Sequence, residues 1–297
     1  MEPQIISQHH VPHGVSRTPL ETYAQELFPD IPSRKGVIKA IKRGEIRINE
    51  QVVNKGTWVE AGQLIQRYTS QQPLPKAFPF ELKVLYEDPF LAAIHKPAGL
   101  PVNGNTYQTI ENALLNNLAP SQNIDALPWP RPVHRLDRNT TGILLIAKTA
   151  SASVGFGRMF EARSIQKTYE ALAVGKVPTT GVWDRPIEEK EALTSFQLLE
   201  QVPSLHGEWL SWVRLYPKTG RTHQLRIHLS QAGFPILGDK LYGKPGLIFR
   251  GKGMFLCATQ VQMKHPITRE EMNISTSPPN KFRLHMDRTR TRWEKFQ

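Results

Sequence analysis

Near the amino terminus, apolar positions change their period from helical to alternating. The segment TPLETYAQELFPDIP opens at Thr18 on a Thr-Pro pair suited to a helix start and closes at Pro32. Ser33 then stands where an N-cap belongs. The spacing predicts a second helix with Val37, Ile38 and Ile41 on one face, Lys35, Lys39, Lys42 and Arg43 largely on others, and a stop at Gly44. Ile46 and Ile48 alternate with Arg47 and Asn49 as a short strand, and Val52, Val53, Val59, Leu64 and Ile65 carry strand signals to about Arg67. A compact basic unit is therefore expected over residues 16–69, behind a tail of residues 1–15.

From Thr69 to Pro79 the chain reads TSQQPLPKAFP, with no apolar period and three prolines. Residues 70–82 are expected to be a linker to a larger unit over residues 83–297. Strands are predicted at Val84 to Tyr86 and Phe90 to Ile94 around a turn at Glu87, Asp88 and Pro89, followed by a helix from Ile110 to Leu118. The stretch APSQNIDALPWPRP reads as a proline-rich loop. Behind it, HRLDRNTTGILLIAK packs polar residues from His134 into a turn backed by the apolar run Ile143 to Ile146, a reactive loop on a buried strand. In KTYEALAVG, strict alternation puts Tyr169, Ala171 and Ala173 on one face.

Composition narrows the class. Of 297 residues 39% are hydrophobic and 22% charged, enough for a real core. The net charge of +12 and a pI near 9.8 attract polyanions, above all nucleic-acid phosphates. No apolar run has spanning length, and the first thirty residues lack the basic start and apolar run of a signal peptide. Cys257 is the single cysteine, so an intrachain disulfide and a thiolate metal cluster are excluded, which fits a reducing cytoplasm.

Asp137 has Arg135 and Arg138 as near neighbours, and adjacent cations favour an ionised carboxylate able to act as nucleophile or base. An ordinary solvated charge cluster would look the same. Tyr169, flanked by small residues, suits stacking on a nucleobase, although a strand tyrosine is more often plain core. In LYPKTGRTHQLRIHL a turn at Lys218 to Gly220 delivers Arg221, followed by His223, Gln224, Arg226 and His228. The two histidines lack the one-turn spacing of a helical zinc site and no carboxylate joins them, so no metal is expected.

Taken together and in this order, HRLDRNTTGILLIAKT, KTYEALAVG and KTGRTHQLRIHL resemble the three signature blocks of RluA-type pseudouridine synthases. HKPAGLPV, MFEARSIQKTY, LTSFQLLE, GDKLYG and MKHPITRE extend the likeness over nearly the whole chain. SRKGVIKAIKRGEIRIN is similar to the alpha-L RNA-binding module of ribosomal proteins. Two positions depart from the pattern. Thr141 replaces a serine and keeps the hydroxyl, and Glu50 follows Asn49 where glycine is common, which deprives that turn of the residue best suited to positive φ.

The resemblance implies an α+β fold: a catalytic domain with a mixed, mainly antiparallel sheet, preceded by a small α/β RNA-binding module. It implies a cofactor-free isomerase acting on uridines in structured RNA, ribosomal RNA ahead of transfer RNA. Asp137 would start detachment of uracil, by attack on the sugar or by proton abstraction. Arg221 would pair with Asp137, Tyr169 would stack on the freed base, and Leu225 would pack beneath. His134, Thr140 and Arg226 would contact substrate, and Arg135 would fill the gap left by an extruded uridine. Ser33, Arg34, Lys35, Lys39 and Arg43 would face RNA from the module. A non-catalytic RNA-binding factor need not retain Asp137, Tyr169 and Arg221 together, and a glycosylase would release free uracil.

Overall fold

The computed structural model describes residues 3–31, 33–70, 73–205, 208–244 and 253–296. Near its start the Ser33 hydroxyl accepts the Gly36 N–H at 3.1 Å and caps helix Arg34–Lys42. Val37, Ala40 and Ile41 on that helix are buried with Leu20, Phe28, Ile46, Val59 and Ile65 in a core of their own. Strands Ile46–Ile48, Gln51–Val52 and Leu64–Tyr68 adjoin them, as alternation predicted.

Two expectations here need correction. Within the expected tail, Ile5–His10 forms a strand antiparallel to Leu64–Tyr68 and, among the described residues, completes a four-stranded sheet. The first helix does not start at Thr18: Thr18–Pro19 pairs with Trp58–Val59, and the helix spans only Leu20–Tyr23. Pro32, expected to close it, lies outside the described residues. The Asn49 and Glu50 turn does adopt positive φ at both positions, 48° and 67°. Local strain of about 1 kcal/mol at the glutamate is opposed by two bonds, Leu64 N–H to Asn49 Oδ1 and Glu50 N–H to Gln66 Oε1, both 2.8 Å.

The expected linker is irregular from residue 73 but not loose. Phe78, Phe80 and Leu82 pack on the core of the larger unit, and Phe78 N–H donates to Asn112 C=O. Gln71 and Gln72 lie outside the described residues. Helix Ile110–Leu114 stops short of Leu118. The proline-rich loop contains a strand, Ala126–Pro132, antiparallel to Thr141–Thr149. Proline lacks a ladder donor, so that strand sits beside the main path of the sheet.

Among the described residues ten strands form the main sheet. Its path runs Thr180–Trp183, Thr194–Ser204, Glu208–Pro217, Gln166–Val174, Leu256–Lys264, Thr141–Thr149, Leu91–Lys96, Lys83–Glu87. All pairings are antiparallel except a short parallel contact of Thr141 and Gly142 with Cys257 and Ala258, where the two halves join. Gly142 makes that approach possible: its φ is 108°, and an added Cβ would lie 2.1 Å from the Ala258 carbonyl oxygen. Gly142→Ala is expected to destabilise the chain by about 3 kcal/mol, combining a steric clash with left-handed strain. A denaturant midpoint equal to wild type would show that the junction yields freely.

Alternation sends Leu144 and Ile146 to one face of the sheet, with helix Ile110–Leu114, and Ile143 and Leu145 to the other, under helix Ala150–Glu161. In the second half Ala171 and Ala173 share a core with Leu225 and Leu229 of helix Gln224–Gln231, while Leu172 and Val174 meet Phe282 and Met286 of helix Lys281–Lys295. Tyr169 packs against the first and the third of these four cores, so it marks the seam on that face. Among the described residues no helix is long and apolar enough to cross a membrane.

Candidate active site

A cavity of about 350 Å³ opens at this seam, lined by His134, Arg135, Asp137, Thr140, Tyr169, Arg221, His223, Leu225 and Arg226. The eight residues that sequence reasoning assigned to catalysis and substrate contact therefore come together. Ser33, Arg34, Lys35, Lys39 and Arg43 do not line it. A larger cavity, near 980 Å³, lies where Asp30, Arg43, Glu45 and Arg67 of the small unit face Asp125, Arg131 and Arg158. None of the signature residues reaches that cleft, and its three acids offset three of its five arginines.

Asp137 sits on the tight turn before strand Thr141–Thr149. Thr140 N–H closes that turn onto the Asp137 carbonyl at 3.0 Å. Lys96 holds it from below. Its fully buried ammonium donates to the carbonyls of Pro97, Arg138 and Thr140 at 2.9 to 3.0 Å, using all three hydrogens. Burial lowers the Lys96 pKa to about 8. As pH rises through 8 one of three carbonyls loses its donor, so wild-type activity is expected to fall on an alkaline limb there. The group's effect on stability runs the other way: its folded pKa is below the unfolded value, so from about 8 towards 10.5 the unfolded state binds more protons and folding gains. A pH profile of Lys96→Met that kept the same limb would refute this assignment.

The expected pairing of Arg221 with Asp137 is corrected by the geometry. Asp137 Oδ2 accepts from Arg226 Nη1 at 3.0 Å, whereas Arg221 Nε donates to the Glu191 carbonyl at 2.9 Å. Helix Gln224–Gln231 decides this, because Arg226 sits in its first turn facing the loop while Arg221 precedes it on the cavity wall. Arg226 is itself held: Nε and Nη2 grip the two oxygens of Asp239 at 2.7 and 2.9 Å. Asp239 is buried and also accepts the N–H groups of Leu241 and Tyr242. Burial opposes ionisation of both partners, but the bonds between them prevail, raising the Arg226 pKa and lowering that of Asp239.

On the other side of the carboxylate, His223 Nε2 lies 3.7 Å from Asp137 Oδ1 and its Nδ1 is 3.0 Å from the Tyr242 hydroxyl. His223 has a φ of 57°, a strained left-handed conformation for histidine that turns the chain into the helix. His228 is committed elsewhere, to Thr194 and the Arg185 carbonyl. Among the described residues no group of three or more His, Cys, Asp and Glu side chains is placed to hold a metal.

Tyr169 stands half-buried on the cavity wall, its pKa raised by burial and then by the Asp137 charge, so it is a neutral phenol at ordinary pH. Leu225 is buried beside it. His134 turns its ring inward: Nε2 accepts the Leu145 N–H at 3.0 Å, and burial together with the Lys167 charge lowers its pKa to about 4. It is thus a neutral anchor of the loop, not a charged contact. Arg135 is exposed at the rim. In the small unit Ser33 is used as a cap, Arg34 and Arg43 pair with Glu21 and Glu45, and Lys35 and Lys39 point to solvent.

Sequence reasoning gave no role to Asp239, Tyr242 or Lys96. GDKLYG and HKPAGLPV hold them, but nothing local distinguishes a buried acid or lysine from an exposed one. Burial is set by what packs over them.

The chain is similar to known proteins along most of its length. A family model described as RNA pseudouridylate synthase matches residues 91–231, which include Asp137, Tyr169 and Arg226. An "Uncharacterized RNA pseudouridine synthase" of Aquifex aeolicus is 31% identical, covering 89% of this chain and 91% of that protein. A "Ribosomal large subunit pseudouridine synthase D" of Pseudomonas aeruginosa is 32% identical over 82% of this chain and 79% of its own. The solved structure of human RNA pseudouridylate synthase domain containing 1 superposes with a TM-score of 0.56 at 26% identity, covering 69% of this chain and 87% of that one. With its three signature blocks folded around one cavity and relatives of this identity along most of its length, the chain belongs to the RluA-type family of RNA pseudouridine synthases, isomerases that convert uridine in RNA to pseudouridine.

Proposed function

We propose that this enzyme acts on ribosomal RNA in the cytoplasm, with Asp137 starting the isomerisation. The observation that carries the reading is the Asp137 carboxylate, gripped by Arg226 and facing a cavity walled by Tyr169 and Leu225. Both routes from uridine, attack on the sugar and proton abstraction, begin at this group. Arg226, fixed by Asp239, orients it and compensates its charge. Tyr169 and Leu225 offer a flat and an apolar surface for the uracil while it is detached and turned. The ribosomal target is supported by the relatives named as large-subunit synthases, and the exposed Lys35 and Lys39 of the small unit suit an RNA surface. Pseudouridine maps of ribosomal RNA from cells with and without the gene, together with assay of free uracil, test this. Unchanged ribosomal maps would reject the target, and uracil release would reject the isomerase.

A target uridine stacked in a stem must be extruded, which requires a few kcal/mol. Arg135, exposed beside Asp137, carries a planar guanidinium able to fill the gap. Arg135→Ala is expected to slow single turnover on a duplexed uridine, roughly fivefold for each kcal/mol of stacking no longer recovered, and to slow it less on an unpaired one. Equal losses on both RNAs at saturating enzyme would reject the wedge.

A further inference from the structure

The catalytic cavity is not isolated. A second cavity of about 570 Å³ adjoins it, and the two share Phe160, Lys167, Pro217, Thr219, Gly220 and Arg221. Beyond that shared wall the second cavity is bordered by Arg163, Lys218 and the amides of Gln166, Gln260 and Gln262, with Glu161 its one acidic residue. Cations and amides with so little negative charge suit a polyanion better than a base or a neutral ligand.

The cations here are not equivalent. Arg163 is paired with Glu191, and Arg221 is bonded to the Glu191 carbonyl. Lys167 is half-buried and, among the described residues, its ammonium makes no hydrogen bond or ion pair. Its Nζ lies 5.8 Å from the Phe160 ring centre, and a Cβ added to Gly220 would come 3.9 Å from it. Burial alone lowers its pKa. A partly desolvated ammonium that faces the Phe160 ring but no anion is poorly compensated in the free protein, and an anion placed there would relieve that. Its location fits a substrate. Lys167 and Tyr169 stand two residues apart on one strand, about 7 Å along it, and both line the catalytic cavity.

We infer that Lys167 and this second cavity form a subsite for the RNA backbone beside the target nucleotide, the Lys167 ammonium taking the phosphate that lies between the two cavities. The inference rests on the isomerase reading, since it places the uridine over Tyr169.

The full-length protein can be tested at low salt with five-nucleotide RNAs carrying a central uridine. One RNA is unmodified, and two have a single uncharged methylphosphonate, either 5′ or 3′ of that uridine. Wild type is expected to bind one of the two modified RNAs about tenfold more weakly, the loss of one charge-assisted bond. Lys167→Met should bind the unmodified RNA at that weaker level and no longer discriminate, with a salt dependence shallower by about 0.7. Lys167→Arg should keep the discrimination, which separates loss of charge from misfolding. A Lys167→Met that discriminates as wild type does, or a wild type indifferent to both substitutions, overturns the subsite. Binding is read without turnover. A protein that discriminates the phosphates yet makes no pseudouridine would therefore support the subsite and overturn the functional reading alone.

Discussion

Asp137→Asn is expected to lower the single-turnover rate of pseudouridine formation by a factor on the order of 10⁴ or more while leaving RNA affinity nearly unchanged. Asparagine matches the shape of aspartate, and its carbonyl oxygen can still accept from Arg226 Nη1. What it lacks is the charge and the basicity. Either route out of uridine needs an anionic oxygen, as nucleophile or as base, and an amide supplies neither. Affinity should be insensitive because binding is carried by many phosphate contacts on a chain of net charge +12. Rates at saturating enzyme and equilibrium binding, measured on the same RNA, separate the two effects. Substantial turnover by the variant would place the chemistry elsewhere, and a parallel loss of affinity would mean that Asp137 mainly shapes the binding site.

Asp239→Ala should affect both stability and activity, although Asp239 does not line the catalytic cavity. Removing it leaves the Arg226 guanidinium without its two-pronged partner and deprives the Leu241 and Tyr242 N–H groups of their acceptor. Breaking one side of a buried pair costs about 3 to 5 kcal/mol. Arg226 would then be free to turn away from Asp137, and a loss of orientation of this kind lowers rates about 100-fold. Because the Asp239 pKa is lowered in the folded state, its stabilisation is present above the ordinary carboxylate range and fades as pH falls through the folded value. The stability gap between wild type and Asp239→Asn should therefore be full at pH 7 and shrink in acid. The double variant Asp239→Ala with Arg226→Met removes both charges and should recover part of the stability but none of the activity. If the single variant were as stable and as active as wild type, Asp239 would have no part in holding Arg226.

Arg226, not Arg221, meets Asp137, and no local pattern in the sequence distinguishes the two. Both arginines stand in one block, five residues apart, and both were assigned to the site. Which of them meets Asp137 depends on where the helix begins. That start is set by His223 in its left-handed conformation and by Gln224, whose amide ties Thr219, the Arg221 N–H, Leu193 and Thr194 together. Two of those partners, Leu193 and Thr194, are some thirty residues away in sequence, and no local period encodes them. The amino-terminal strand was missed for a similar reason: IISQHH has little alternation, and it becomes a strand because Leu64–Tyr68 offers it an open edge.

Periodicity and composition specify the repeating elements and the chemical inventory of the chain. The blocks around Asp137, Tyr169 and Arg221 carry the family resemblance that implies the reaction class, while Ile143 to Ile146 reads as a buried strand and Ser33 as the cap of the helix that follows it. The strand and the cap depend on contacts between near neighbours, whose geometry the backbone alone constrains. The tertiary structure decided what those residues touch. Gly142 lets two half-sheets meet against Ala258, which brings Asp137 to Tyr169, and helix Gln224–Gln231 swings Arg226 between Asp137 and Asp239. Lys96 and Asp239 acquire their roles only through burial, which is a property of everything packed around them and is written in no single stretch of the chain.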